Sequence, residues 1–187
     1  MELLMNYCEP ALDPSGTPII VLKREAEDGD ALVLYTYFHS WWMLVEKREG
    51  EEPNPKFFVH FVAEDLLPRF GCAVEKIVID KADETEITGT PVRVRQLQYS
   101  ASVTISGGGT SFTRNNLAST ECIALAVCSN APIFVAGDVF EKYKRPVRLH
   151  SADDPDSPEP QNSGSKNAPA PDPDWLKKLK EDLKEGS

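Results

Sequence analysis

Histidine is scarce in this chain, cysteines are never paired, and no apolar stretch is long enough to cross a bilayer. Each gap removes a class of function. The three histidines are His39, His60 and His150. A metal site would have to combine two of them with a carboxylate such as Glu64 or Asp65, and no spacing announces one. No metal and no cofactor is therefore expected. The G-x-S-x-G elbow, the H-E-x-x-H helix, the EF-hand loop and the kinase signatures are all missing. The four cysteines, Cys8, Cys72, Cys122 and Cys128, contain no Cys-x-x-Cys pair. Cys122 and Cys128 stand six apart, about 240° around a helix, too far apart to share a metal or a bridge within it. Scattered, reduced thiols predict a cytoplasmic chain. No run of 18 apolar residues and no basic-then-apolar leader is present, so neither a membrane span nor export is expected.

Positive charge is also short: 20 basic residues face 30 acidic ones, for a net charge of −10. Residues 151–187 hold nine acids and five lysines, so −4 belongs there and −6 to the rest. An acidic body lacks the clustered Lys/Arg of a general nucleic-acid footprint. The nearest approach is Arg93 and Arg95, which alternate with Val92 and Val94 and could join Lys142, Lys144, Arg145 and Arg148 in a local patch. Basic residues on an edge strand ordinarily just solvate it and discourage aggregation.

What is present organises itself around 98–136. Tyr99, Ala101, Val103 and Ile105 alternate with serines and threonines, the pattern of a half-buried strand in an antiparallel sheet. Gly107-Gly108-Gly109 supplies a tight turn, and 110–113 returns beside the first strand with Phe112 toward the core. GGGTS lies where a phosphate loop would lie, but it lacks the lysine such a loop requires. Asn115 or Asn116 is the expected helix cap, and Glu121 suits the first turn. From Leu117 to Cys128 almost nothing is polar, so the helix should lie buried against the sheet. Asn130 and Pro132 end it, and 133–136 is a short strand.

Earlier in the chain, 17–24 and 31–38 read as a hairpin across Asp28-Gly29. The apolar run continues through Trp41, Trp42, Met43, Leu44 and Val45. The expectation is a long strand with a bulge or bend near His39-Ser40. A third strand is expected at 56–62, a brief helix at 63–70 ended by Pro68, a fourth strand at 73–80, and a loop or protruding hairpin at 81–90. A last short helix is expected at 139–144. The fold class is α+β: an antiparallel sheet of about five to seven strands with one main buried helix. Residues 1–150 form the globular domain, 151–171 a disordered linker rich in Pro, Asp and Ser, and 172–187 a C-terminal amphipathic helix.

That last division rests on composition. Apart from proline, 151–171 contains no apolar residue larger than alanine, too little to offset chain entropy. Then Asp172 can cap, Pro173 suits the first helical position, and Trp175, Leu176, Leu179 and Leu183 recur on one face. Burying those four side chains is worth at most about 1.5–3 kcal/mol each. The linker spans roughly 25–30 Å. A short helix of this kind is marginal alone and suits a partner's groove. The expectation is thus a non-enzymatic adaptor or assembly protein that docks to another protein, or to a sister subunit as a homo-oligomer, through Trp175, Leu176, Leu179 and Leu183. The alternative is a small-molecule-binding enzyme with a pocket near the aromatic run 35–42. Its weak catalytic candidates are His39, His60 and Cys72, a Cys–His pair brought together by folding. A nucleic-acid accessory factor using Arg93 and Arg95 comes third.

Overall fold

The computed structural model describes residues 1–25, 29–50, 59, 61–87 and 94–147, the side chains of 85–87 and 94–96 excepted. Trp175, Leu176, Leu179, Leu183, Arg93, Arg148, His60 and His150 lie outside the described residues, as do the segments 151–171 and 172–187 expected as linker and C-terminal helix.

Nine strands are described: β1 (Glu2–Met5), β2 (Tyr7–Leu12), β3 (Pro18–Lys23), β4 (Gly29–Tyr35), β5 (Cys72–Ile87), β6 (Val94–Gly107), β7 (Thr110–Ala118), β8 (Ile133–Ala136) and β9 (Arg145–Val147). Helix α1 is Phe38–Arg48. A π-helical turn, Phe61–Leu66, runs into the single turn α2, Leu67–Arg69. Helix α3 is Ser119–Cys128 and α4 is Gly137–Tyr143. The fold is α+β, and its strands divide between two sheets, one of five in the order β1-β8-β5-β6-β7 and one of four in the order β2-β3-β4-β9. All pairings are antiparallel except that of β5 with β8. The chain changes sheet at Asn6, whose side-chain amide donates to the Arg24 carbonyl at 2.6 Å.

The alternation along β6 decides the inner face of the larger sheet. Ala101 and Val103 are buried with Ile77 and Ile79 of β5 and Val135 of β8. Helix α3 covers that face with Cys122, Ile123 and Ala126, and Ile20, Leu22, Leu32 and Leu34 of the smaller sheet join the same cluster. Both sheets thereby share one apolar interior, as an α+β layer architecture requires. The glycine hairpin forms as expected: Gly108 and Gly109 take the positive φ the turn demands, and the Thr110 hydroxyl donates to the Gly107 carbonyl at 3.0 Å.

Four local expectations are corrected. Trp41 to Val45 is not a bent strand but the heart of α1, whose residues Ser40 to Leu44 are buried. The reason is at its end. Lys47 and Arg48 favour the negative pole of the helix, and Gly50, at φ 75°, provides the left-handed residue that stops it. Phe61 and Val62 belong to the π-helical turn rather than to a strand. Phe112 is not on the core side but 63% exposed. Asn115 and Asn116 do not cap α3; both are in β7, where a register shift against β6 and the positive φ of Asn116 carry the strand on to Ala118. The segment 81–90 is a protruding hairpin in its described part, since β5 and β6 pair as far as Ile87 and Val94.

Candidate functional site

Where the two sheets part, an open groove of about 950 Å³ remains, within the size range of small-ligand sites. One wall is the end of β4 and the approach to α1, residues 33–37. The facing wall is the stem of the long hairpin, Asp83 and 97–100, and the floor is the β7–α3 corner, 116–120. Arg145 of β9 closes one side.

Three tyrosines give the groove its character. Tyr35 and Tyr37 are strongly exposed, and Tyr99 is half-buried. Tyr99 packs edge-on against Tyr143 at 5.9 Å. Burial pushes the Tyr99 hydroxyl up to about 12, against the pull of the nearby Arg145 charge and with a small push from Tyr143. At neutral pH it is a neutral phenol able to donate a hydrogen bond. Asp83 is held by Lys81 at 2.7 Å. Arg145 has no carboxylate partner among the described residues.

The floor is built by an abrupt strand-to-helix junction. Ala118 occupies the N-cap position of α3 in extended conformation and has no side chain to offer, so no side chain caps the first turn. Ser119 and Thr120 follow directly and line the groove. Ser119 is only 5% exposed.

Of the candidates named from the sequence, those that are described, His39, Cys72 and Arg95, are not among the groove's lining residues. His39 is exposed on the first turn of α1 and stacks on Tyr37 at 6.0 Å. Cys72 opens β5, where its thiol donates to the Phe70 carbonyl at 3.5 Å and meets no histidine among the described residues. Arg95 lies on β6 opposite Glu86 in the hairpin register. The aromatic run splits: Trp41 and Trp42 are core, with Phe38 against them at 5.6 and 5.9 Å, and only Tyr35 and Tyr37 reach the groove. Glu64 pairs with Lys47 at 3.6 Å and Asp65 with Arg69 at 3.8 Å. No group of three or more possible metal-binding side chains exists among the described residues.

The other thiols are poor nucleophiles. Burial, aided by Glu9, pushes Cys8 up to about 12. Burial, with Glu121 and Asp80, does the same to Cys122. Burial raises Cys128 as well, with Lys47 opposing and Glu64 assisting. A thiol held protonated neither attacks nor binds metal readily. The lysines expected in a basic patch are neutralised, Lys142 by Glu84 at 3.8 Å and Lys144 by Asp30 at 3.1 Å and Glu141 at 2.8 Å. Asn116, Ser119 and Thr120 are not legible as a site in the sequence, because a cap at Asn115 or Asn116 places the helix two or three residues too early. No helix among the described residues is long and apolar enough to cross a membrane.

Compared with known protein families the chain matches none, and no curated protein aligns with it significantly.

Proposed function

We propose that the described body is a binding module for a small ligand with an aromatic or apolar part, held in the groove between the two sheets. The observation that carries this reading is the groove itself: about 950 Å³ of space faced by Tyr35, Tyr37 and Tyr99. Tyrosines combine large apolar area with few rotatable bonds and a polar tip, which makes them efficient contact residues. Binding rather than turnover is favoured by the titratable groups of the wall. Tyr99 is a neutral phenol, Asp83 is engaged by Lys81, and neither histidine nor cysteine is among the lining residues described. The test is a titration of the isotope-labelled full chain with benzyl alcohol, followed by amide resonances. Shifts should concentrate at 33–37 and 97–100 and weaken in Tyr37→Ala. Shifts spread evenly over the surface would refute the reading.

A second reading concerns 172–187, where the sequence alone supports it. Trp175, Leu176, Leu179 and Leu183 form one apolar stripe after a proline-rich linker, the pattern of an adaptor helix that docks to a partner protein or a sister subunit. Deleting 151–187 should leave the thermal midpoint of the body unchanged and abolish association measured by light scattering and pull-down. Retained association would overturn it.

A further inference from the structure

We propose that the free edge of β7 is a self-association surface, on which two copies of this chain pair antiparallel with Thr113 on the two-fold axis and join their larger sheets into one. This is independent of the groove, to which β7 contributes only from Asn116 onward.

Each sheet ends in two strands with one unpaired side among the described residues. Three of these four edges are blunted. β2 carries Pro10 and β9 carries Pro146, which cannot donate to a new neighbour, and β1 is only four residues long. β7 has none of these devices. It runs nine residues without proline, lysine or an acid, and every residue from Thr110 to Asn116 is exposed. A strand left open in this way is a template for another strand.

The register identifies the free backbone groups. Gly108 and Gly109 form a two-residue turn, so Gly107 and Thr110 close the hairpin as a hydrogen-bonded pair. Bonded and non-bonded pairs alternate along an antiparallel ladder. Phe112 and Arg114 therefore direct their backbone groups to β6, while Ser111 and Thr113 direct theirs outward. The 3.0 Å contact between the Thr113 and Thr104 hydroxyls fits the closer side-chain spacing of a non-bonded pair. The Ser111 hydroxyl turns to Glu75 at 3.3 Å, so both side chains are tied to the sheet face and leave the edge clear. The register shifts only beyond Arg114, which leaves 110–114 regular.

A second copy fits this edge because the strand is complementary to itself. With Thr113 facing Thr113, Phe112 of each copy stands opposite Arg114 of the other, on one face of the joined sheet. Phe112 is 63% exposed, and Arg114 is the only charged residue of the strand. A guanidinium beside a phenyl ring is a favourable cross-strand pair, and this register keeps the two arginines from facing each other. The chain carries −10 in all, so two copies repel, and an edge without acids is where that repulsion is weakest. The contact is small. A strand pair of this length buries less than the roughly 1,200–2,000 Å² of a stable complex, so a dissociation constant on the order of 100 µM is expected. The pair is dispersed in dilute solution, where any association belongs to another surface.

The experiment is sedimentation of the full chain from about 10 µM to about 1 mM, with amide hydrogen exchange followed by NMR over the same range. Dimer should grow with concentration, and the Ser111 and Thr113 amides should become protected, while that of Phe112 is protected throughout. Thr113→Pro removes an outward donor, and Phe112→Lys sets like charges against each other across the axis. Each should weaken pairing about tenfold or more at an unchanged thermal midpoint. Phe112→Lys combined with Arg114→Glu sets opposite charges against each other and should restore the dimer, a recovery that a damaged fold would not show. A chain that stays monomeric at about 1 mM, a dimer indifferent to both single variants, or a double variant no better than Phe112→Lys alone overturns the proposal.

Discussion

Gly107 ends β6 so close to the start of β5 that a Cβ there would lie 2.6 Å from Cys72 Sγ and 3.0 Å from the Gly71 carbonyl oxygen. The thiol can rotate away; the carbonyl is backbone and cannot. Gly107→Ala should therefore destabilise the protein by about 1–3 kcal/mol, the usual cost of forced overpacking, seen as a lower urea midpoint at constant slope. An unchanged midpoint would mean that the β5–β6 junction yields freely. The glycine run was legible in the sequence as a turn, but this particular constraint was not. It depends on Cys72, which lies more than thirty residues away in the chain and is brought alongside by the hairpin register. His39 and Cys72 suggest themselves by their chemistry, and among the described residues neither meets a partner that could activate it; His60, the other candidate, lies outside those residues.

At the scale of elements, the alternation around Tyr99 to Ile105 locates a strand and its apolar inner residues Ala101 and Val103, but the opposite face is not solvated as expected: Ser102 and Thr104 are buried too. Periodicity fails where both faces are dry. Trp41 to Val45 is uninterrupted apolar sequence, and such a run does not distinguish strand from buried helix. Here α1 packs on α3, with Met43 against Ala124 and Cys128, so even the weakly amphipathic pattern is blurred. The stop signal, Lys47-Arg48 followed by Gly50, was present and was the better guide. Helix α3 began later than expected because two asparagines suit a cap and a strand bulge equally well in principle. The pairing of β7 with β6 settled which.

For the whole molecule, the consequence of two sheets sharing one cluster is a single cooperative unit. Ile123 of α3 is fully buried among side chains from both sheets. Ile123→Ala should cost about 2–5 kcal/mol. Far-ultraviolet circular dichroism and tryptophan fluorescence, the latter reporting largely on Trp41 and Trp42 of α1, should move to the same new midpoint. Separate midpoints would show that the sheets unfold independently. The net charge of −10 argues against a broad nucleic-acid surface, and the pairing of Lys142 and Lys144 with carboxylates weakens the local basic patch around Arg145.

Composition and local pattern, properties that need no knowledge of distant neighbours, were enough to determine the α+β class, the glycine hairpin and the buried helix. The partition of strands into two sheets, the turn of the aromatic run into helix, and the groove lined by 33–37, 97–100 and 116–120 were decided by the tertiary structure alone. Those depend on contacts between residues separated by tens of positions, and the free energy that selects among them comes from shared burial, which a linear pattern does not record.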